Sequence, residues 1–274
     1  MGLRLYDAHN HLHDERFASH ADELLAATAK EGVVKMVVNG SCEEDWPQVL
    51  ELARKHSAVI PSFGYHPWYV KERSPDWQKE LIRFLEEAPS AVGEIGLDRW
   101  IEDYDTPQQE EVFIGQLRLA AARNLPVSIH CLKAWGRLLE ILQSEPRPKC
   151  GLVLHSFGGP REMVPALTEL GAYFSFPGYF ARERKVKQRE AFLTVPPDRL
   201  LIETDAPDQL LPEDLSNYSI TDSKGKALNH PASLGAVYIF VAEFLERPIE
   251  KLAEQVEANF LRVFGKVAQT SKRH

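Results

Sequence analysis

Two histidines, His9 and His11, follow the first hydrophobic run of the chain, Leu3-Arg4-Leu5-Tyr6-Asp7-Ala8. Alternate residues of an extended strand project to one face, so the pair can offer two imidazoles to a single cation. Taken alone, an H-x-H is equally compatible with two ordinary polar residues at a strand end. Four more motifs of similar form remove that ambiguity. Gly93-Glu94-Ile95-Gly96-Leu97-Asp98 sets a carboxylate, Glu94, where an apolar run finishes. Pro126-Val127-Ser128-Ile129-His130 and Gly151-Leu152-Val153-Leu154-His155 each end in histidine, and Leu200-Leu201-Ile202-Glu203-Thr204-Asp205 ends in aspartate. Burying four imidazoles and two carboxylates together without partners is costly, and bound cations remove that cost. Imidazole with carboxylate suits Zn²⁺, Mn²⁺ or Fe²⁺; Mg²⁺, which prefers oxygen ligands, fits less well but stays open. Cys131 directly follows His130 and should point the other way, as a buried inert thiol.

The elements that must position these groups alternate β-rich runs with amphipathic stretches. Eight strands are predicted, at Leu3–Ala8, Val33–Asn39, Ala58–Gly64, Ala91–Ile95, Pro126–His130, Leu152–His155, Ala172–Phe176 and Arg199–Thr204. Between them lie helical stripes such as Leu24, Leu25, Thr28 and Ala29, or Trp135, Leu138, Leu139 and Leu142. A third stripe, Met163, Ala166, Leu167 and Leu170, stops at Gly171, a natural residue to follow a helix C-cap. Thr106-Pro107-Gln108-Gln109 reads as an N-cap, a proline at N1 and a capping-box glutamine for a helix reaching about Asn124. Strands alternating with helices imply right-handed βαβ units in the α/β class, and eight repeats favour a closed (β/α)₈ TIM-type barrel. In that fold the C-terminal strand ends share one rim, which would bring all six candidates together. The chain has 274 residues, enough for one such barrel, and residues 1–274 are read as a single domain. The polar stretch Asp208–His230 is the one long interruption, of a length that is usually functional or mobile.

The formal net charge is −8, which argues against a large basic surface tracking phosphates. It leaves open a substrate held at one metal-filled pocket, since bound cations invert the local field. No apolar run is long enough to span a membrane, and no signal-peptide core precedes the first acidic residues. Three cysteines, Cys42, Cys131 and Cys150, read as reduced thiols in a cytoplasm. No obligate protein partner is evident.

With these motifs in hand, the sequence resembles the TatD family of metal-dependent hydrolases, within the larger amidohydrolase-like barrel superfamily. The resemblance runs from Asp7-Ala8-His9-Asn10-His11-Leu12 to Asn259-Phe260-Leu261-Arg262-Val263-Phe264. It passes through Gly64-Tyr65-His66-Pro67, the Glu94 motif, Ile129-His130-Cys131, His155-Ser156-Phe157-Gly158-Gly159, Glu203-Thr204-Asp205-Ala206-Pro207 and Asn229-His230-Pro231-Ala232. It implies that His9, His11, Glu94 and Asp205 bind one divalent ion and that Glu94 bridges to a second, held by His130 and His155. It further implies hydrolysis of phosphodiester bonds in DNA, by a hydroxide formed at the two ions while Asp205 orients it and accepts its proton. Glutamate on the fourth strand favours this branch over dihydroorotase-like enzymes, in which a carboxylated lysine bridges the metals. Two departures touch substrate contacts: Leu132 stands where many members carry arginine after the strand-five histidine, and Trp68 where many carry histidine after the His-Pro pair.

Other residues around the expected rim carry two readings each. His66 could bond a phosphate or protonate the leaving alkoxide, or pack as a turn residue beside Pro67 and Trp68. Arg99, Lys133 and Ser156 could reach phosphate oxygens or remain solvated rim residues. Asp7 could support a ligand histidine or make a simple strand-end bond. Tyr65, Trp68, Trp100, Phe157 and Tyr179 could stack on bases or pack in the core. The run Arg182–Arg189 could steer nucleic acid or form a solvated helix face. Two other functions remain compatible: hydrolysis of a carboxylic ester or amide, such as an aminoacyl ester on tRNA, and a non-catalytic binder that retains the metal site.

Overall fold

The computed structural model describes residues 2–17 and 20–269, so Met1, 18–19 and 270–274 of the expected domain lie outside the described residues. Eight strands form one sheet in sequence order: β1 (Leu5–Asn10), β2 (Val33–Asn39), β3 (Val59–Phe63), β4 (Ala91–Asp98), β5 (Val127–Leu132), β6 (Leu152–Leu154), β7 (Ala172–Pro177) and β8 (Leu200–Glu203). Every adjacent pair is parallel. The sequence placed all eight, with ends displaced by up to three residues. The (β/α)₈ barrel is thus the observed fold.

The seam where β8 meets β1 is stitched differently from the ladders. His11 N–H donates to Ala206 O at 2.7 Å and Asp205 N–H to His9 O at 3.0 Å. Below them the Asp7 carboxylate accepts from Thr204 N–H at 3.0 Å and Thr204 Oγ1 at 2.6 Å. Asp7 also accepts from the backbone N–H of His9 and from Asn10 Nδ2. It therefore braces the strand that carries His9 rather than an imidazole ring.

The connecting helices are α1 (Ala21–Lys30), α2 (Trp46–Lys55), α3 (Trp77–Glu87), α4 (Thr106–Arg123), α5 (Trp135–Ser144), α6 (Val164–Glu169) and α7 (Val186–Ala191), followed by α8 (Leu234–Phe244) and α9 (Ile249–Ala268). One apolar layer, including Phe63, Leu81, Phe113, Leu138, Phe157 and Phe174, lies between strands and helices. A separate cluster fills the barrel axis: Tyr6, Ala8, Val37, Ile60, Ala91, Val153, Tyr173 and Leu201, closed from below by Phe260, Val263, Phe264 and Val267 of α9. Asn259 anchors this plug, its Nδ2 donating to Pro197 O and Leu200 O at 2.8 Å each. The α4 cap differs from expectation. Asp105, not Thr106, is the N-cap: its backbone is extended while Thr106 is already helical, and its carboxylate accepts from Gln108 N–H at 3.0 Å. Gln109, freed from any capping, bonds both backbone groups of Asp98 at 2.9 Å. Gly171 ends α6 with φ of +90°, as its position predicted.

Residues 208–230 carry a single-turn helix at Glu213–Leu215 and a two-stranded ribbon, β9 (Ile220–Thr221) with β10 (Ala227–Leu228). Tyr218 Oη donates to Glu31 at 2.5 Å, just ahead of β2, and its ring stacks on His230. The segment thus runs along the barrel flank toward the opposite end, and only Asp208 and Gln209 of it line the cleft over the rim.

Candidate metal centre

Period two along the strands delivers the site. On β8 the interior positions continue from Leu201 through Glu203 to Asp205, on β5 from Ser128 to His130, and on β6 from Val153 to His155. In β1 a register shift between Asp7 and Asn10 changes the parity, so that His9 turns inward directly after the inward Ala8. Gly96 permits the close approach of β4 to β5, since a Cβ there would come within 1.9 Å of His130 O. Asp205 sits in the left-handed region at φ +54°, a conformation costly for a non-glycine residue and held by the seam bond to His9 O.

All six residues converge, and Glu94 stands at their middle. Its Oε2 lies 3.2 Å from His9 Nε2 and 3.3 Å from His11 Nε2. Asp205 Oδ1 is 3.6 Å from each of those nitrogens. The other oxygen of Glu94, Oε1, lies 2.9 Å from His155 Nε2, 3.0 Å from His130 Nδ1 and 3.4 Å from His66 Nε2. Though three imidazoles surround it, no hydrogen bond of good geometry reaches Oε1. Lone pairs crowded toward a common point at these spacings fit a cation better than one another.

The outer partners set which nitrogen faces inward. His11 Nδ1 lies 2.8 Å from Asn39 O, His9 Nδ1 lies 2.8 Å from Ser128 Oγ, and His130 Nε2 lies 2.9 Å from Asp98 Oδ2. His155 Nδ1 lies 3.5 Å from Glu203 Oε1. At His11 and His130 these acceptors place the ring proton on the outer nitrogen and leave a lone pair directed at Glu94, while His9 Nδ1 also lies 3.1 Å from Asn39 Nδ2. His66 is the exception. Its Nδ1 accepts from Trp68 N–H at 3.2 Å, which puts the proton on Nε2 and removes that atom from the ligand set despite its ligating distance.

Protons occupy the donors when no ion is present, and burial decides much of their balance. Burial, helped by repulsion from His155, lowers His9 to about 4. Burial likewise lowers His66 to about 4, so its ring is neutral near pH 7. For His11 burial opposes charging, but the hydrogen bond and charge of Glu94 prevail and raise it to about 9. Glu94, although buried, is held well below the usual carboxylate range by His155, His66 and His9. Burial raises Asp205 to about 7.

Sequence reasoning missed four supporting residues: Asn39, Asp98, Ser128 and Glu203. All four sit one period before a cleft residue or at a strand end, and alternation read backwards from His130 and Asp205 finds Ser128 and Glu203. Asp98 was visible in the Glu94 motif, but its bond to His130 requires knowing that β4 and β5 are neighbours. The expected phosphate contacts fare less well. Ser156 gives its N–H and Oγ to Glu203 Oε1 at 2.7 and 2.6 Å, Lys133 Nζ lies 3.8 Å over the Trp100 ring, and Arg99 faces Glu110. None of the three lines the cleft of about 720 Å³ above Glu94; Arg16, which nothing in the sequence marked, does. Tyr65 and Phe157 are core residues. Within the basic run, Arg182 bonds Leu210 O and Leu211 O, and Arg189 bonds Phe180 O and Ala181 O. Those two charges hold local backbone rather than facing a ligand. Cys131 is buried in the outer layer, with its thiol pushed up by desolvation.

A (β/α)₈ barrel with imidazoles and carboxylates gathered at its C-terminal rim defines a class, the metal-dependent barrel hydrolases. Comparison with known proteins narrows it. Residues 6–265 match the family described as TatD related DNase, and the chain belongs to that family. It is 34% identical to proteins named 3′-5′ ssDNA/RNA exonuclease TatD from Shigella flexneri serotype 5b and from Escherichia coli K12, covering 95% of this chain and 99% of each relative. The crystal structure of a TatD homologue from Escherichia coli K12 superposes with a TM-score of 0.87 at 28% identity, over 97% of this chain and 99% of the other. A TatD family hydrolase from Entamoeba histolytica, 19% identical, shares the fold with a TM-score of 0.85 over 96% and 99%. Among the described residues, no helix is long and apolar enough to cross a membrane.

Proposed function

We propose that the chain hydrolyses phosphodiester bonds of single-stranded nucleic acid, DNA foremost, at a centre of two divalent cations. The observation that carries this reading is the division of Glu94: one oxygen facing His9 and His11, which Asp205 also approaches, the other facing His130 and His155. The names of the 34%-identical relatives supply the substrate class. The donor set suits Zn²⁺ or Mn²⁺, with Mg²⁺ the poorer match. When bound, such ions acidify a shared water and neutralise charge on the phosphate.

The chain's own residues do the rest. Asp205 turns Oδ1 toward His9 and His11 while Gln209 Nε2 holds its Oδ2 at 2.5 Å. Placed beside both histidines, it is positioned to take the proton of the attacking water. His66, neutral with its proton on Nε2, donates a hydrogen bond to a phosphate oxygen rather than releasing a proton to the leaving group. Asp98 and Glu203 fix the rings of His130 and His155. The three free thiols among the described residues accord with a reducing cytoplasm.

Digestion of 3′- and 5′-end-labelled single-stranded DNA, with and without chelator and beside Glu94→Ala, tests the reading. Metal-loaded protein shortens the strand, while the chelated protein and the variant leave it whole. Intact DNA alongside metal-dependent turnover of small carboxylic esters would overturn it.

A further inference from the structure

We infer that the indole of Trp68 is the seat for an unpaired nucleobase beside the reacting phosphate, an assignment that rests on the nuclease reading above. Of the aromatics that could stack, Tyr65 and Phe157 are buried, Tyr179 lies under Lys185 and bonds Arg184, and Trp100 has Lys133 over its ring. Trp68 is 52% exposed and lines the same cleft as Glu94 and His130. Leu132, 39% exposed, continues the apolar surface on the same wall. The ring is already fixed. Its Nε1 donates to Asp98 Oδ2 at 2.7 Å, and it meets His66 edge-on at a centroid distance of 4.9 Å. A large aromatic surface held open to water within one residue's reach of the ion donors gains by being covered, and little ordering is needed to cover it.

The side of the cleft built by the segments after β1, β2 and β8 dictates where a strand can lie. It presents Asp14, Glu44, Asp45 and Asp208, with Arg16 spanning Asp14 and Asp208 through four hydrogen bonds of 2.7–2.9 Å. Arg16 is thereby neutralised as a phosphate contact. A phosphodiester chain is repelled from that side and passes over Trp68 and Leu132, where a flat base meets the indole. Every base has a π face, so the seat is tolerant of sequence. A base inside a duplex has both faces covered by its neighbours and cannot use it.

The test separates this assignment from the activity. Metal-free protein in chelator is titrated by fluorescence anisotropy with short single-stranded DNA, in which an abasic residue is moved through the first three positions from the 3′ end. In the unaltered protein one abasic position weakens binding about tenfold, the scale of a single base–aromatic stack. Trp68→Ala binds the intact and abasic strands alike, whereas Trp68→Phe, which keeps a ring but loses the bond to Asp98, retains most of the penalty. A penalty that survives undiminished in Trp68→Ala, or no penalty at any position in a protein that still binds and cleaves DNA, sinks the base seat and leaves the nuclease reading standing. An unaltered protein that neither binds nor cleaves the strand sinks both.

Discussion

Replacing Asp98 by asparagine removes one charge and exchanges an acceptor for a donor without changing the side chain's shape. In the native protein Oδ2 accepts from His130 Nε2 at 2.9 Å and Trp68 Nε1 at 2.7 Å, while Oδ1 accepts from Trp100 N–H at 2.6 Å. Burial opposes ionisation of Asp98, yet the hydrogen bond and charge of His130 hold it at about 2. It is therefore ionised across the usable pH range. Because the folded value lies below the ordinary 3.8, its contribution to stability is fully present above that value and lost only as pH falls toward 2. An asparagine amide cannot accept from three donors. If its nitrogen faces His130, the imidazole loses its outer acceptor and moves its proton to Nδ1, the atom that would hold the ion. Loss of such an outer partner lowers metal affinity by roughly 10- to 100-fold. Competition titration against a chromophoric chelator should therefore show one of two ion equivalents weakened by that factor and the other unchanged, with turnover restored at high metal concentration. Two equivalents binding as in the unaltered protein, or both weakened alike with the fold intact, would refute the division of the donors proposed here.

Ion binding must displace the proton that Glu94 and Asp205 stabilise on His11, whose pKa is raised to about 9, so affinity climbs as pH rises from 6 to 8 by about tenfold for each proton displaced per unit; calorimetric titrations at several pH values would expose a flat response if the reasoning were wrong. Phe260→Ala removes one of the two fully buried rings of the axial plug and lowers stability by about 3–5 kcal/mol, read by denaturant unfolding, while single-turnover cleavage at low temperature stays near normal. Chelation lowers the melting temperature, and ion at about 100 times its dissociation constant restores about 2.7 kcal/mol; identical melts with and without ion would count against any bound metal.

What could be read in advance divides along physical lines. The eight strands and the meeting of the six candidate residues were legible because a buried parallel strand is a continuous apolar run and a barrel aims every C-terminal end at one rim. The roles of Asp98 and Glu203 stayed hidden because their partners, His130 and His155, are set by the strand order, β5 beside β4 and β6 one strand removed from β8, and not by chain neighbours. Arg99, Lys133 and Ser156 looked like phosphate ligands through proximity to the motifs, but each is claimed by a closer partner: Glu110, Trp100 and Glu203. Arg16 had no motif to mark it, and its place in the cleft follows from two aspartates nearly two hundred residues apart. The axial plug of α9 was equally invisible, since an amphipathic helix does not say whether its apolar stripe covers a barrel's side or stops its end.

The join between first and last strands has a consequence of its own. His9 and His11 stand on one lip of that join and Asp205 on the other, with backbone bonds and the Asp7–Thr204 pair holding the lips together. A cation taken by these three groups would act as a clasp, linking the beginning of the chain to a point three-quarters of the way along it. The hoop would then be strongest when armed for chemistry, and the same atoms that cut the substrate would keep the enzyme round.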